Sequence, residues 1–201
     1  IAFAGTPEGV AVNLYMTGCA RVPVPGGQVV LSMQSEFPRV GYARLTIEAG
    51  DLPAGTPLAL DLRVPGYAEH FAVLPGGDPT RMLTGVPGTY LRIADTVSDG
   101  DEFIISLDYS PIRHASDRAG DGFVAFTYGP ILLARDSRDC ADPLAPVPDA
   151  GIGDWRVELP ERPGLLTAHL QVGGETLMLV DYMSAGSDWD GGSFASWLPI
   201  R

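Results

Sequence analysis

The 201-residue chain contains no lysine. All 13 of its basic residues are arginine, set against 25 aspartates and glutamates for a net charge of −12. That balance repels phosphate backbones and anionic headgroups, which argues against nucleic acid and membrane as partners. A neutral ligand such as a sugar remains compatible. Cysteine is almost missing: Cys19 and Cys140 are the two in the chain. No Cys-x-x-Cys or Cys/His spacing exists, so a zinc-finger type of site is excluded. Two separate buried thiols are the better reading, with a Cys19–Cys140 disulfide as the alternative. The chain also lacks long stretches free of helix breakers. Its 25 glycines and 18 prolines fill about a fifth of all positions, and the longest segment without either is Ile131–Asp142. Proline breaks helix interiors, and glycine costs about 1 kcal/mol there relative to alanine. Helical bundles, coiled coils and TIM barrels are thereby ruled out. No apolar run approaches the roughly 20 residues needed to span a bilayer. Starting at Ile1 without a signal-like segment, the chain reads as a processed or excised one.

What the chain does have is period-two hydrophobicity. Leu58, Leu60, Leu62 and Val64 alternate with Ala59, Asp61 and Arg63. The same holds for Phe103, Ile105, Leu107 and Tyr109, and for Leu166, Ala168, Leu170 and Val172. Each pattern predicts a half-buried strand. Weaker strands read at Val10–Met16, Gln28–Ser35, Tyr42–Glu48, Thr89–Ala94, Phe123–Tyr128, Ile131–Arg135, Asp154–Leu159, Thr176–Met183 and Phe194–Leu198. Turn residues separate them, and Gly173-Gly174 between two alternating segments predicts a two-residue hairpin. The expected fold is all-β: an antiparallel β-sandwich or jelly roll. Two consecutive sandwiches, residues 1–115 and 116–201, fit better than a single large one. Residues 137–153, rich in Asp, Pro and Ala, read as a long loop.

Catalytic patterns are scarce. His70, His114 and His169 lie at no triad or ligand spacing, and His169 falls on the polar side of its strand, where it should face solvent. Neither a nucleophile elbow nor a phosphate loop is present. Asp99, Asp101 and Glu102 flank a turn glycine, where aspartate serves turn hydrogen bonds rather than glycosidase chemistry. The remaining candidate is Asp188-Trp189-Asp190 on a glycine-rich loop. An aromatic between two acids can stack on a sugar ring or help hold Ca2+, though the extended ligand series of an EF-hand loop is missing, and an ordinary loop with a packed Trp is the default reading. Trp155 and Trp197 fall in strand-like segments and read as core. Nothing calls for a cofactor or a metal.

Several segments, taken in order, resemble a known family. They are Val12-Asn13-Leu14-Tyr15-Met16, Gln34-Ser35-Glu36-Phe37-Pro38, Leu60-Asp61-Leu62-Arg63-Val64-Pro65-Gly66-Tyr67-Ala68 and Gly100-Asp101-Glu102-Phe103. They continue with the run from Val124 to Ala134, then Asp181-Tyr182 and Trp197-Leu198-Pro199. The succession resembles the region C-terminal to the helical barrel in β-L-arabinofuranosidase-type glycoside hydrolases, glycoside hydrolase family 127 and its relatives. The resemblance implies a non-catalytic accessory β-sandwich region of a bacterial enzyme acting on arabinofuranosides or related glycans. Its implied partner is the catalytic (α/α) barrel, with dimer contact as a second role. The family's nucleophile and zinc cluster belong to that barrel, and neither Cys19 nor Cys140 sits in a matching motif. The alternatives are an independent carbohydrate-binding module and a structural or adhesive sandwich with no ligand.

Overall fold

The structure, a computed structural model, describes residues 2–53, 55–96, 98–117, 122–161, 163–186 and 191–201. The fold is all-β, built of antiparallel sheets consistent with a β-sandwich. The chain divides into two compact units, residues 1–109 and 110–201.

The first unit holds β1 (Phe3–Thr6), β2 (Gly9–Val12), β3 (Gly18–Val24), β4 (Gly27–Ser35), β5 (Tyr42–Glu48) and β6 (Pro57–Arg63). It continues with β7 (His70–Pro75), β8 (Leu83–Thr84), β9 (Tyr90–Thr96) and β10 (Asp101–Asp108). Among the described residues these make a four-stranded sheet, β1-β2-β6-β9, and a six-stranded sheet, β3-β4-β5-β10-β7-β8. One pairing is parallel: β2 runs beside β6, with Val10 opposite Leu60 and Val12 opposite Leu62. The alternation read from the sequence decides the inward faces. Leu58, Leu60, Leu62 and Val64 are buried, as are Leu31, Met33, Leu45, Ile47, Phe71, Val73, Ile105 and Leu107 of the other sheet. Ala59 is buried as well, so the opposite face of β6 is not uniformly wet.

The second unit holds β11 (Pro111–Ala115), β12 (Phe123–Tyr128), β13 (Ile131–Asp136), β14 (Ile152–Glu158), β15 (Thr167–Val172) and β16 (Glu175–Asp181). Two short strands complete it, β17 (Phe194–Ala195) and β18 (Leu198–Pro199). The order is β11-β12-β13-β16-β15-β14, with β17 on β13 and β18 on β12. Its core gathers Phe126, Leu133, Leu166, Leu170, Leu177, Leu179 and Leu198. The Gly173-Gly174 hairpin forms as expected: both glycines have positive φ, 57° and 84°, and Val172 pairs with Glu175. Val147 in the predicted long loop is fully buried and bridges Ile200.

Some local expectations shift. The segment read as Val10–Met16 leaves its strand at Val12, and the one read as Phe194–Leu198 splits between two partners. Strands β3, β7 and β11 were not legible. Prolines 23, 75 and 111 sit in them, and strands that carry proline break the usual pattern. Cys19 is exposed and Cys140 half-buried, both as free thiols, against the expectation of two buried ones. Cys19 lies on β3, an edge strand of its sheet, where one face meets solvent.

Candidate functional site

Three of the motif segments of the first unit, Val12–Met16, Gln34–Pro38 and Leu60–Ala68, meet at one end of its sheets, whereas Gly100–Phe103 lies at the far end of β10. After β2 ends, Asn13 N–H donates to the Ala2 carbonyl at 2.7 Å, which turns the chain. Tyr15 is thereby sent inward, and its hydroxyl donates to the Arg63 carbonyl at 2.5 Å. Burial pushes that hydroxyl well above the ordinary tyrosine range, with Tyr67 adding and Arg63 opposing, so it stays protonated as a donor. The Ser35 hydroxyl lies 3.0 Å from the Tyr15 carbonyl and accepts from Phe37 N–H at 3.1 Å. Thr17 and Ser35 exchange two further bonds of 3.0 Å. Tyr109 donates to the Pro38 carbonyl, and Tyr90 donates to Asn13 Oδ1 at 2.5 Å.

These bonds hold five aromatic rings together. Phe37 stacks on Tyr67 at 6.5 Å, while Tyr109 meets both edge-on at 6.2 and 6.0 Å. Tyr15 packs on Phe37 and Phe71. Edge-to-face pairs are worth about 0.5–1.5 kcal/mol each beyond the area they bury. Beside the cluster, Leu14, Met16 and Tyr90 are exposed. The end of the unit therefore has a packed aromatic interior, and its surface carries Leu14, Met16 and Tyr90 together with the exposed Glu36–Arg39 pair.

The second unit contains a buried polar network that the sequence did not reveal. Asp136 and Asp181 are 2% and 1% exposed. Asp136 is gripped by Arg138 through Nε at 2.9 Å and Nη2 at 2.5 Å, and accepts from Gly186 N–H at 3.0 Å. Asp181 accepts from Leu165 N–H at 2.8 Å, from Ser184 N–H at 3.0 Å and from the Ser184 hydroxyl at 2.7 Å. The turn between Asp181 and Gly186 is fixed from both sides. It presents Tyr182 and, at 82% exposure, Met183.

The sequence-predicted residues scatter. Asp188, Trp189 and Asp190 lie outside the described residues. Asp99 accepts from Ala49 N–H at 3.0 Å and Asp101 from Ser98 N–H at 2.6 Å, the turn-stabilising role expected of them. Trp155 and Trp197 are exposed rather than core. Trp155 sits on β14, at the edge of the strand order, and leans on Tyr128 at 5.6 Å. His169 is not free in solvent: its Nε2 lies 2.8 Å from Glu158 Oε1. Among the described residues no group of three His, Cys, Asp or Glu is placed to hold a metal.

A family model described as the β-L-arabinofuranosidase GH127 middle domain matches residues 9–109. The chain belongs to the GH127 middle-domain family. The matched segment contains all five rings of the aromatic end, and it stops where the first unit stops. Solved structures are similar in fold over nearly the whole chain. A GH127 β-L-arabinofuranosidase from Geobacillus stearothermophilus T6 aligns with 100% of this chain at a TM-score of 0.77 and 18% identity. A glycoside hydrolase covers 98% at 0.75 and 20%, and a GH127 β-arabinofuranosidase covers 97% at 0.74 and 22%. At these identities the likeness shows the fold. The chain spans 35%, 36% and 35% of those three proteins, about a third of their length. No curated protein matches it by sequence.

Proposed function

We propose that this chain is a non-catalytic accessory region of a bacterial glycoside hydrolase acting on arabinofuranosides or related glycans, made of two consecutive sandwiches. Its role is to pack on the catalytic (α/α) barrel through the aromatic end of the first unit; contact between two copies is the other use of such a surface. The observation that carries the reading is the convergence of three family-like segments, Val12–Met16, Gln34–Pro38 and Leu60–Ala68, on that end. Tyr15, Phe37 and Tyr67 are each locked in place there, while Leu14, Met16 and Tyr90 beside them stay exposed. Apolar side chains held at a fixed position beside a stiff cluster are what a docking face requires.

The test is the double substitution Leu14→Asp with Met16→Asp. In the isolated 201-residue chain it touches exposed side chains and should shift the melting temperature by no more than about 2 °C. In the polypeptide that includes the barrel it should lower both the melting temperature and the rate on aryl arabinofuranosides. Equal behaviour of variant and wild type in the longer polypeptide would overturn the reading.

A further inference from the structure

Unpaired N–H and C=O groups on a terminal strand accept any strand that reaches them, and folds block this with proline, bulges, short strands or covering segments. Among the described residues most edges of this chain are blocked in one of those ways. β1 and β3 lie against each other at Gly5, where a Cβ would come within 2.2 Å of the Pro23 carbonyl oxygen. β8 has two residues, β11 begins with Pro111, and β14 is bulged between Ile152 and Trp155. β9 has none of these features. It runs for seven residues without proline or glycine, and its register on β6 is unbroken from Tyr90 to Thr96.

The alternation of hydrogen bonds identifies its free groups. On β6, the Ala59 N–H donates toward β2, to the Glu8 carbonyl, while the Val64 N–H donates to the Thr89 carbonyl at 2.8 Å. The even-numbered residues of β6 therefore bond to β9, and their partners there include Leu91 and Ile93. The N–H and C=O groups of Tyr90, Arg92 and Ala94 point outward, and no described strand pairs with them. The same edge leaves the core partly open. Leu60 and Leu62 are 1% and 0% exposed, yet Ile93 and Leu91 opposite them are only half-buried. Ile93 lines a cleft of about 360 Å3 together with Leu58, Leu60, Leu83 and Phe103.

The strand that fits is one with the same unblocked edge and half-buried inner row, and β9 of a second copy supplies both. Antiparallel copies related by a two-fold axis must pair residues of the same face. Centring the pair on Ile93 sets Ile93 opposite Ile93 and Arg92 opposite Ala94. The outward backbone groups of Arg92 and Ala94 then bond across the boundary, and the apolar row of Leu91 and Ile93 continues from one copy into the other. Arg92 keeps Glu8 and Asp61 of its own copy as partners. Centring on Arg92 would instead set two guanidiniums directly opposite. We propose that two copies of this chain pair through β9 in the register centred on Ile93. The two four-stranded sheets become one continuous sheet, β1-β2-β6-β9-β9-β6-β2-β1. Neither Leu14 nor Met16 takes part, so the pairing does not rest on the docking reading.

Sedimentation equilibrium of the whole chain tests the proposal, at about 150 mM salt so that the −12 charge of each copy is screened beyond about 8 Å. A monomer–dimer equilibrium with Kd below about 100 µM is expected. Ala94→Pro removes an outward N–H and leaves the bonds to β6 in place, so it should raise Kd at least about tenfold with unchanged far-ultraviolet dichroism. In a background of Cys19→Ser and Cys140→Ser, Ile93→Cys should give a disulfide-linked dimer under copper–phenanthroline oxidation, because α-carbons of a directly opposed pair lie about 4.5 Å apart. Ala94→Cys should not, since Ala94 faces Arg92 and its α-carbon lies beyond the roughly 7 Å reach of a disulfide to its own copy. The cross-link keeps the test decisive if Ala94→Pro unfolds. Leu14→Asp with Met16→Asp should leave Kd unchanged, which separates this contact from the docking face. Any of four results would overturn the proposal: a monomer up to about 500 µM, a folded Ala94→Pro variant that dimerises as tightly as wild type, equal cross-linking of Ile93→Cys and Ala94→Cys, or a dimer lost in the Leu14 and Met16 double variant and kept in Ala94→Pro.

Discussion

Burying Asp136 takes its carboxylate out of water, and the arginine fork and two backbone N–H groups replace the hydrogen bonds lost. Those donors, the Arg138 side chain first, hold its carboxyl well below the usual carboxylate range against the opposing effect of burial. A carboxyl with a depressed native value contributes stability that is complete above its unfolded value, near ~3.9, and lost as the pH falls below that toward the native value. Asp136→Asn at neutral pH leaves Arg138 without its ionic partner and should cost about 3–5 kcal/mol in urea unfolding. The variant's stability should also fall less steeply than wild type between about pH 4 and pH 2. A wild-type acid profile in the variant would mean that Asp136 does not carry the linkage. Asp181 stands in a family-like segment, yet nothing in the sequence marked it or Asp136 as buried, because burial of a single acid depends on which loop folds over it.

Among the elements, β6 and the β15–β16 hairpin show local pattern and tertiary setting in agreement. Leu60→Ala removes a fully buried side chain and should cost about 2–5 kcal/mol. Asp61 is half-buried, with Arg92 Nε 3.9 Å away, and an exposed pair of that kind is worth about 0–1 kcal/mol. Thermal melts of Leu60→Ala and Asp61→Ala should therefore differ by several degrees; matching melts would contradict the facing of β6. In the hairpin both glycines occupy the left-handed region, but their surroundings differ. A Cβ on Gly173 would lie 2.5 Å from Pro148 Cβ, whereas one on Gly174 meets nothing within 4 Å. Each alanine costs about 1–2 kcal/mol in backbone strain, and Gly173→Ala adds the displacement of Pro148. It should be the more destabilising of the two by chemical denaturation. The turn was legible from two adjacent glycines between apolar alternations. The contact with Pro148 was not, since it joins the hairpin to a loop some 25 residues upstream.

At the scale of the whole molecule, the reading as an accessory region predicts that the isolated chain does not hydrolyse aryl arabinofuranosides. Turnover that survives purification and disappears on mutating a residue of this chain would refute it. The prediction rests on chemistry, because no described cluster pairs a nucleophile with a base, and glycoside cleavage needs two groups poised across one bond.

The sequence by itself determined the fold class. Period-two alternation and a breaker every few residues leave β-sheets as the one way to bury Leu58, Leu60 and Leu62 together, and this needs no knowledge of what they face. It also determined the hairpin at Gly173-Gly174 and the roles of Asp99 and Asp101, all local backbone effects. Tertiary structure alone decided which segments share a surface. The pieces carrying Tyr15, Phe37, Tyr67 and Tyr109 are tens of residues apart, and their aromatic rings meet only because the strand order of two sheets brings four loops to one end. It alone placed Trp155 outside the core, on a strand at the end of the order, and turned His169 toward Glu158. Alternation says which face a residue takes. Whether that face meets water, a loop or an acid is settled by segments distant in the chain.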